Sequence, residues 1–138
     1  MGLDMFFYRA PKGTKDIWKY ICGKEGDSYV EEDIYMRKHN HIRQWIVDHC
    51  GYPVDACDAI MLNKYDIADM LEDCIKVFTS KNPEVAEELL PTATGFFFGN
   101  TDYDEDYFYK VGWDIENLSR LLVQTDWDNE EVWYTESW

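Results

Sequence analysis

The chain has 138 residues, a length typical of one domain with a substantial core, and 46% of them are hydrophobic, which argues against a disordered protein. Its 28 Asp and Glu residues outnumber its 13 Lys and Arg residues and give a formal net charge of -15. This charge argues against direct binding to nucleic acid or to an anionic membrane, because both need a basic surface.

The charge is unevenly distributed along the chain. Residues 1–54 carry 8 Lys and Arg against 8 Asp and Glu, whereas residues 55–138 carry 5 against 20, so the whole net charge belongs to the second part. We therefore predict one domain over residues 1–138, with a near-neutral N-terminal part (1–54) and a strongly acidic C-terminal part (55–138). A cationic partner is the natural complement of such a charge.

A cytoplasmic location is expected. No stretch approaches the roughly 18 apolar residues of a membrane span, and the N-terminal sequence lacks the basic and then apolar layout of a signal peptide. The four cysteines, at positions 22, 50, 57 and 74, are then expected to stay reduced as buried thiols.

The first elements are a strand and a short helix. Alternating apolar residues predict a strand from Leu3 to Tyr8, ended by Pro11. Thr14 is a suitable N-cap for a short helix that Gly23 can terminate.

A long helix is predicted from Glu32 to Cys50, because Ile42, Trp45 and Ile46 fall near helical spacing and Gly51 follows. It carries the main basic cluster of the chain, which consists of Arg37, Lys38, His39, His41 and Arg43. We interpret this cluster as a solvated face that pairs with the acidic part of the chain. A catalytic or phosphate-binding role is the alternative.

A short strand over Ala59–Leu62 and two helices are predicted next. Asn63 caps the first helix, whose stripe includes Cys74 as a core thiol. Asn82 and Pro83 begin the second helix, which Pro91 ends.

The last elements are a strand, a helix and a strand. Phe96 to Phe98, between two glycines, are typical of a central strand covered on both faces. Apolar residues every three or four positions from Phe108 to Leu122 predict a helix, and Val132 to Trp138 alternate as a strand. The sequence therefore predicts an α+β fold: a small, mostly antiparallel sheet of about three or four strands with packed helices.

Four sequence blocks carry a resemblance to a known family. They are MGLDMFFYRA, RKHNHIRQW, LPTATGFFFG and TDYDEDYF. In these blocks the chain resembles a family of small, functionally uncharacterised proteins of bacteriophages, prophages and their bacterial hosts. The resemblance implies a phage-associated soluble protein, located in the host cell cytoplasm if phage-encoded. It implies no activity that could be carried over to these positions.

The densest group of carboxylates lies just before the last predicted helix, interleaved with two tyrosines. We predict that this group, together with acids farther along the chain, binds a basic nucleic-acid-binding protein such as a CRISPR effector or a restriction enzyme. The predicted partner-binding residues are Asp102, Tyr103, Asp104, Glu105, Asp106, Tyr107, Asp114, Glu116, Asp126 and Asp128. Their carboxylates would stand in for nucleic-acid phosphates, as in anti-CRISPR and anti-restriction inhibitors. The competing interpretation is a charged surface that only keeps the protein soluble.

Metal binding is a second interpretation of the polar residues. Calcium is unsuitable, because the loop after Asp102 has Tyr107 where a calcium loop needs glycine and Trp113 where it needs a bidentate acid. Zinc is the better candidate, with His49, Cys50 and Cys57 as ligands, joined by a histidine from earlier in the helix. No cofactor besides zinc is expected.

Two functions compete with that of an acidic inhibitor. One is a zinc-binding accessory protein. The second is a small enzyme that uses a face made of Arg37, His39 and His41, although no catalytic motif in the sequence supports an enzyme.

Overall fold

The computed structural model describes residues 2–23, 30–52, 58–95 and 98–138. Within these ranges four strands and five helices follow one another along the chain. They are β1 (Asp4–Pro11), α1 (Ile17–Cys22), β2 (Ile34–Arg37), α2 (Asn40–Cys50), β3 (Ala59–Leu62), α3 (Lys64–Ser80), α4 (Pro83–Leu89), α5 (Glu105–Gln124) and β4 (Glu130–Ser137). None of the helices in these ranges has both the length and the apolar character needed to cross a membrane.

The four strands form one antiparallel sheet in the order β2-β1-β4-β3. The two long strands are at the centre, where β1 and β4 pair along their whole length from Asp4 opposite Ser137 to Pro11 opposite Glu130. The two four-residue strands are the edges. The predicted α+β fold with a small antiparallel sheet is confirmed.

The core lies on one face of the sheet. Leu3, Met5 and Phe7 point to this face with no exposed surface, because alternate residues of a strand share a face. The helices α2 to α5 contribute buried residues to the same cluster. On the other face, α1 covers a smaller cluster with Ile17.

The cysteines differ in burial. Cys74 lies in the core, so its predicted place in the stripe of α3 is confirmed. Cys22, the last residue of α1, is exposed, and the prediction of a buried thiol is wrong there because α1 covers its small cluster with Ile17 and Ile21 instead. Cys50 is partly buried at the end of α2.

The predicted long helix from Glu32 to Cys50 is wrong in its first part. Ile34 and Met36 are buried while Tyr35 and Arg37 are exposed, the pattern of a strand, and Met36 pairs with Met5. Lys38, with a φ of 60°, then turns the chain, and the helix begins only at Asn40. Four residues are too few to show a clear alternation of apolar and polar side chains in the sequence. The strand conformation of this stretch is decided instead by its pairing with β1 at the edge of the sheet.

The predicted central strand over the three phenylalanines is not part of the sheet described. Phe96 and Phe97 lie outside the described residues. Phe98 lies in a bend, where its N–H donates to the carbonyl of Gly95 at 3.1 Å, and its side chain is buried. The central strands are instead β1 and β4, so the strand predicted at the C-terminus is one of them.

The predicted caps of α3 and α4 are confirmed, whereas the predicted Thr14 cap is wrong: Asp16 caps α1 and accepts the N–H groups of Trp18 and Lys19. Asn63 and Asp66 form a reciprocal capping box at the start of α3. Asn82 accepts the N–H of Glu84 at the start of α4, with Pro83 in the first position. Asp104 caps α5 by accepting the N–H of Tyr107 at 3.0 Å.

Candidate functional site

Four carboxylates stand together where α5 begins. We name Asp102, Asp104, Glu105 and Asp106 the acidic cluster; all four are exposed. Two of them lie in the first turn of the helix, where the positive end of the helix dipole favours negative charge. Asp106 pairs with Lys110 at 3.3 Å, whereas the other three carboxylates have no ion pair with any described residue. The structure therefore presents this part of the predicted binding surface to solvent.

The two tyrosines next to these acids are structural. Tyr107 is buried, its hydroxyl donates to the carbonyl of Leu90 at 2.8 Å, and burial raises its pKa, so it stays a neutral donor. Tyr103 is partly buried, and its hydroxyl accepts the N–H of Thr92 at 3.2 Å. The prediction that Tyr107 contacts a partner is wrong, because its ring and its hydroxyl are both used to attach the segment after α4 to α5.

The prediction that Asp114 contacts a partner is also wrong, because its side chain has no exposed surface. The buried side of α5 consists of Tyr107, Val111, Asp114, Leu118 and Leu121. This stripe is shifted by about one residue from the predicted one, in which Phe108, Ile115 and Leu122 are inward; these three are only partly buried. A carboxylate within an apolar stripe needs a partner, and the spacing of Val111, Asp114 and Leu118 is the signal that could have revealed it.

Two histidines supply that partner. Nδ1 of His39 lies 2.7 Å from Oδ1 of Asp114, and Nε2 of His41 lies 2.6 Å from Oδ2. Burial alone would raise the pKa of Asp114, but the two imidazoles outweigh it and hold that pKa below its ordinary value. Burial lowers the pKa of His41, and the carboxylate offsets this only in part. An ionised carboxylate can only accept, so both ring nitrogens that face it carry protons.

His39, His41 and Asp114 also form a candidate metal site, since their donor atoms all lie within 4.8 Å of one another. The separations of 2.6 and 2.7 Å between nitrogen and oxygen are hydrogen-bond distances. Two ligands that share one zinc ion at about 2.0–2.1 Å would stand roughly 3.3 Å apart in a tetrahedral site. The present arrangement is therefore a buried hydrogen-bonded cluster, and a metal would have to displace both protons and spread the ligands.

The predicted zinc ligands are only partly described. The imidazole of His49 stacks on Trp45, and its Nδ1 donates to the carbonyl of Trp45 at 2.9 Å, which leaves Nε2 as an acceptor. Burial, followed by the neighbouring Asp66, raises the pKa of Cys50 to about 12, so its thiol is protonated. Cys57 lies outside the described residues. Zinc binding by His49, Cys50 and Cys57 stays a prediction, and it would have to remove the proton of Cys50.

Only part of the basic cluster is the solvated face that the sequence predicted, because three of its five residues are buried. Arg43 is 2% exposed, and its Nε donates to both carboxylate oxygens of Glu136 at 2.9 and 3.0 Å. The hydroxyl of Tyr134 donates to the same carboxylate, and the guanidinium lies 4.8 Å from the ring centre of Phe98. The expected pairing with the acidic part is therefore present, but it is buried. Sequence reasoning missed Glu136, although alternation in β4 places it on the same face as Tyr134.

The enzyme face proposed for Arg37, His39 and His41 does not exist as one exposed surface. His39 and His41 are buried against Asp114, whereas Arg37 is exposed at the end of β2, with its Nε 3.9 Å from Asp4. Arg37 therefore lies at the surface near Asp4, whereas the two histidines lie inside the protein against Asp114. The structure does not bring the three side chains together around a substrate.

Asn40, the first residue of α2, organises the chain around Phe98. Its Nδ2 donates to the carbonyls of Phe98 and Asn100, both at 3.0 Å, and its Oδ1 accepts the N–H of Ala93 at 3.0 Å. One buried side chain thus satisfies three backbone groups of an irregular segment. This segment leads directly to the acidic cluster, so Asn40 fixes where the cluster begins.

The remaining predicted acids do not join the acidic cluster. Glu116 is exposed in the middle of α5. Asp126 and Asp128 follow the other end of that helix, roughly 30 Å away at 1.5 Å per residue. Asp126 also has a structural role, because its carboxylate accepts from the backbone of Asp128 and from the side chain of Asn129. Of the ten predicted residues, four therefore form the exposed acidic cluster, three are exposed acids farther along α5 or beyond it, and the other three are partly or fully buried.

A groove of about 640 Å³ opens beside the acidic cluster, between the end of α3 and the start of α5. It is bordered by Asp104 and by four aromatic rings, those of Phe78, Tyr103, Phe108 and Tyr109. The ammonium of Lys81 lies 3.0 Å from the ring centre of Phe78. Sequence reasoning missed this aromatic groove, because its walls come from separate helices.

Comparisons with models of known protein families, with curated proteins and with solved structures give no match to this chain.

Proposed function

We propose that the protein is a small acidic inhibitor of phage type that binds a basic nucleic-acid-binding protein of the host defence and competes with its DNA or RNA. CRISPR effectors and restriction enzymes are the partner class. In the complex, the acidic cluster occupies the basic groove of the partner in place of the phosphates of the nucleic acid. No catalytic step is part of this proposal.

The observation that carries the proposal is the exposure and lack of pairing of the acidic cluster. Among the described residues, three of its four carboxylates have no cation bound to them, although the chain has lysines on neighbouring helices. Charges left unpaired in this way are available to a partner at no cost of breaking an internal ion pair.

The charge density of the cluster suits a phosphate mimic. Asp102 and Asp106 are four residues apart, and a step of two extended residues followed by part of a helical turn covers at most roughly 10 Å. One strand of B-DNA carries one charge per 3.4 Å of helix axis, or about three phosphates over the same length. Four carboxylates over this distance can therefore replace the contacts that a basic groove makes with one short run of backbone.

A competition assay tests the proposal. Purified CRISPR effectors and restriction enzymes are loaded with labelled nucleic acid, and release is followed by fluorescence anisotropy as this protein is added. We expect displacement from at least one of them, with a half-maximal concentration that rises steeply with salt, because exposed charges are screened. Retention of nucleic acid by every member of the panel at low salt would contradict the proposal.

A further inference from the structure

The aromatic groove already holds a cation of the protein itself. Lys81 ends α3 in a left-handed conformation, with a φ of 51°, and its ammonium lies 3.0 Å from the ring centre of Phe78 and 5.6 Å from that of Phe108. A cation over the face of an aromatic ring is attracted by the electrons of that ring. The contact shows that these rings accept a positive charge.

Carboxylates border the same groove but do not bind this ammonium. Asp104 and Glu105 belong to its lining, and within the described part of the chain Lys81 forms no ion pair with either. Tyr109 is 73% exposed at the rim. The groove is thus lined by both aromatic rings and carboxylates, and Lys81 contacts only the rings.

An arginine side chain matches both kinds of group at once. Its planar guanidinium can stack on a ring while two of its N–H groups form a bidentate hydrogen-bonded pair with a carboxylate. A lysine ammonium lacks this planar shape and cannot form both contacts in this way. Arginine is also enriched among the residues that contribute most to binding at interfaces. We propose that this groove binds an arginine side chain of the partner and that the arginine displaces Lys81. The inference rests on the proposed function in that the partner is basic, and it names the side chain that the partner presents.

The first test uses the isolated protein and a small probe, N-acetyl-arginine amide, with the shifts of the ring protons of Phe78, Phe108 and Tyr109 followed by NMR. We expect these rings to respond to the arginine probe and not to its citrulline counterpart, which has the same shape without the charge. A response of equal size to citrulline would overturn the inference. Tighter binding of the lysine amide than of the arginine amide would overturn the choice of arginine.

The second test removes the internal cation. Lys81→Gly suits the left-handed backbone and frees the rings, so we expect the arginine probe to bind about 2- to 5-fold more tightly. Lys76→Gln is the matched control, because it removes one positive charge from the same helix at a residue that lies outside the groove lining. An equal gain from Lys76→Gln would show a general effect of charge and would overturn displacement of Lys81.

The experiments distinguish failure of the groove inference from failure of the proposed function. If no ring responds to arginine while a defence protein still loses its nucleic acid, the groove inference is wrong and the proposed function stands. If the rings bind arginine and no partner loses nucleic acid, the proposed function is wrong and the groove remains an arginine site.

Discussion

Asp114 is a carboxylate in the middle of the apolar stripe of α5, and it is tolerated there because His39 and His41 each donate to one of its oxygens. Residue types along the sequence indicated a helix with outward acids. They did not decide between that stripe and one shifted by about one residue, since the angle at which a helix faces the sheet is set by its packing partners. The pairing joins residues 73 and 75 positions apart.

We expect Asp114→Asn to lower the free energy of unfolding by about 2–4 kcal/mol, because it leaves buried donors without a charged acceptor. Glu116→Gln is the matched control: it makes the same change of charge two residues away, at an exposed position, and should change the free energy by less than about 0.5 kcal/mol. Urea unfolding at neutral pH measures both. Equal effects of the two substitutions would contradict the structural role of Asp114.

His41 should make stability depend on pH. Its pKa in the folded state lies below its ordinary value of 6.5, so the unfolded chain binds more protons in the window just below pH 6.5. Stability from this residue is therefore full above that window and is lost as the pH falls through it. The lowered pKa of Asp114 adds a second loss, which begins near its ordinary value of 3.8 and continues below it.

His41→Gln isolates the first of these windows, because a glutamine Nε2 can still donate to Asp114 but does not titrate. Urea unfolding of the parent and of the variant between pH 7.5 and pH 5 should show a smaller loss of stability in the variant. Parallel pH dependence of the two proteins would mean that His41 is not responsible.

Among the elements, helices with clear stripes and caps could be predicted, as α3 and α4 show at Asn63 and Asn82. The strand β2 could not, because four residues carry too little period and its conformation is decided by pairing with β1. The prediction of a strand at Phe98 is wrong for a related reason. The aromatic residues of this segment are typical of a strand, but in the structure the Phe98 carbonyl bonds to the side chain of Asn40.

Asn40 offers a test of that arrangement. We expect Asn40→Ala to cost at least about 2 kcal/mol of unfolding free energy and to increase amide hydrogen exchange at Ala93, since its three backbone partners lose their bonds. Gln44→Ala, one turn along α2, removes only a bond to Asp48 at an exposed site and serves as the control. Unchanged protection of the Ala93 amide in Asn40→Ala would show that Asn40 does not hold this segment.

Over the whole molecule, the sequence predicted the fold class and the acidic C-terminal part, because both follow from composition and from local periodicity. It did not predict which charges are buried. Arg43 and Glu136 are 93 positions apart, and only the tertiary structure places them against each other in the core. The same limit applies to the acidic residues, of which Asp114 is buried and the acidic cluster is exposed.

The central claim is that the acidic cluster, and not negative charge in general, binds the partner. A fourfold variant changes Asp102, Asp104 and Asp106 to Asn and Glu105 to Gln. Asn at position 104 keeps a good helix cap, and loss of the two acids in the first turn should cost at most about 1–2 kcal/mol. The matched control changes four exposed acids elsewhere by the same charge, namely Glu31→Gln, Asp48→Asn, Asp69→Asn and Glu87→Gln.

The deciding measurement is the competition for labelled nucleic acid, carried out with parent, fourfold variant and control at one salt concentration after circular dichroism has shown that all three are folded. We predict that the fourfold variant displaces nucleic acid at least about tenfold more weakly than the parent, while the control stays close to the parent. Displacement by the folded fourfold variant at the parent's concentration, or an equal loss in the control, would contradict the claim.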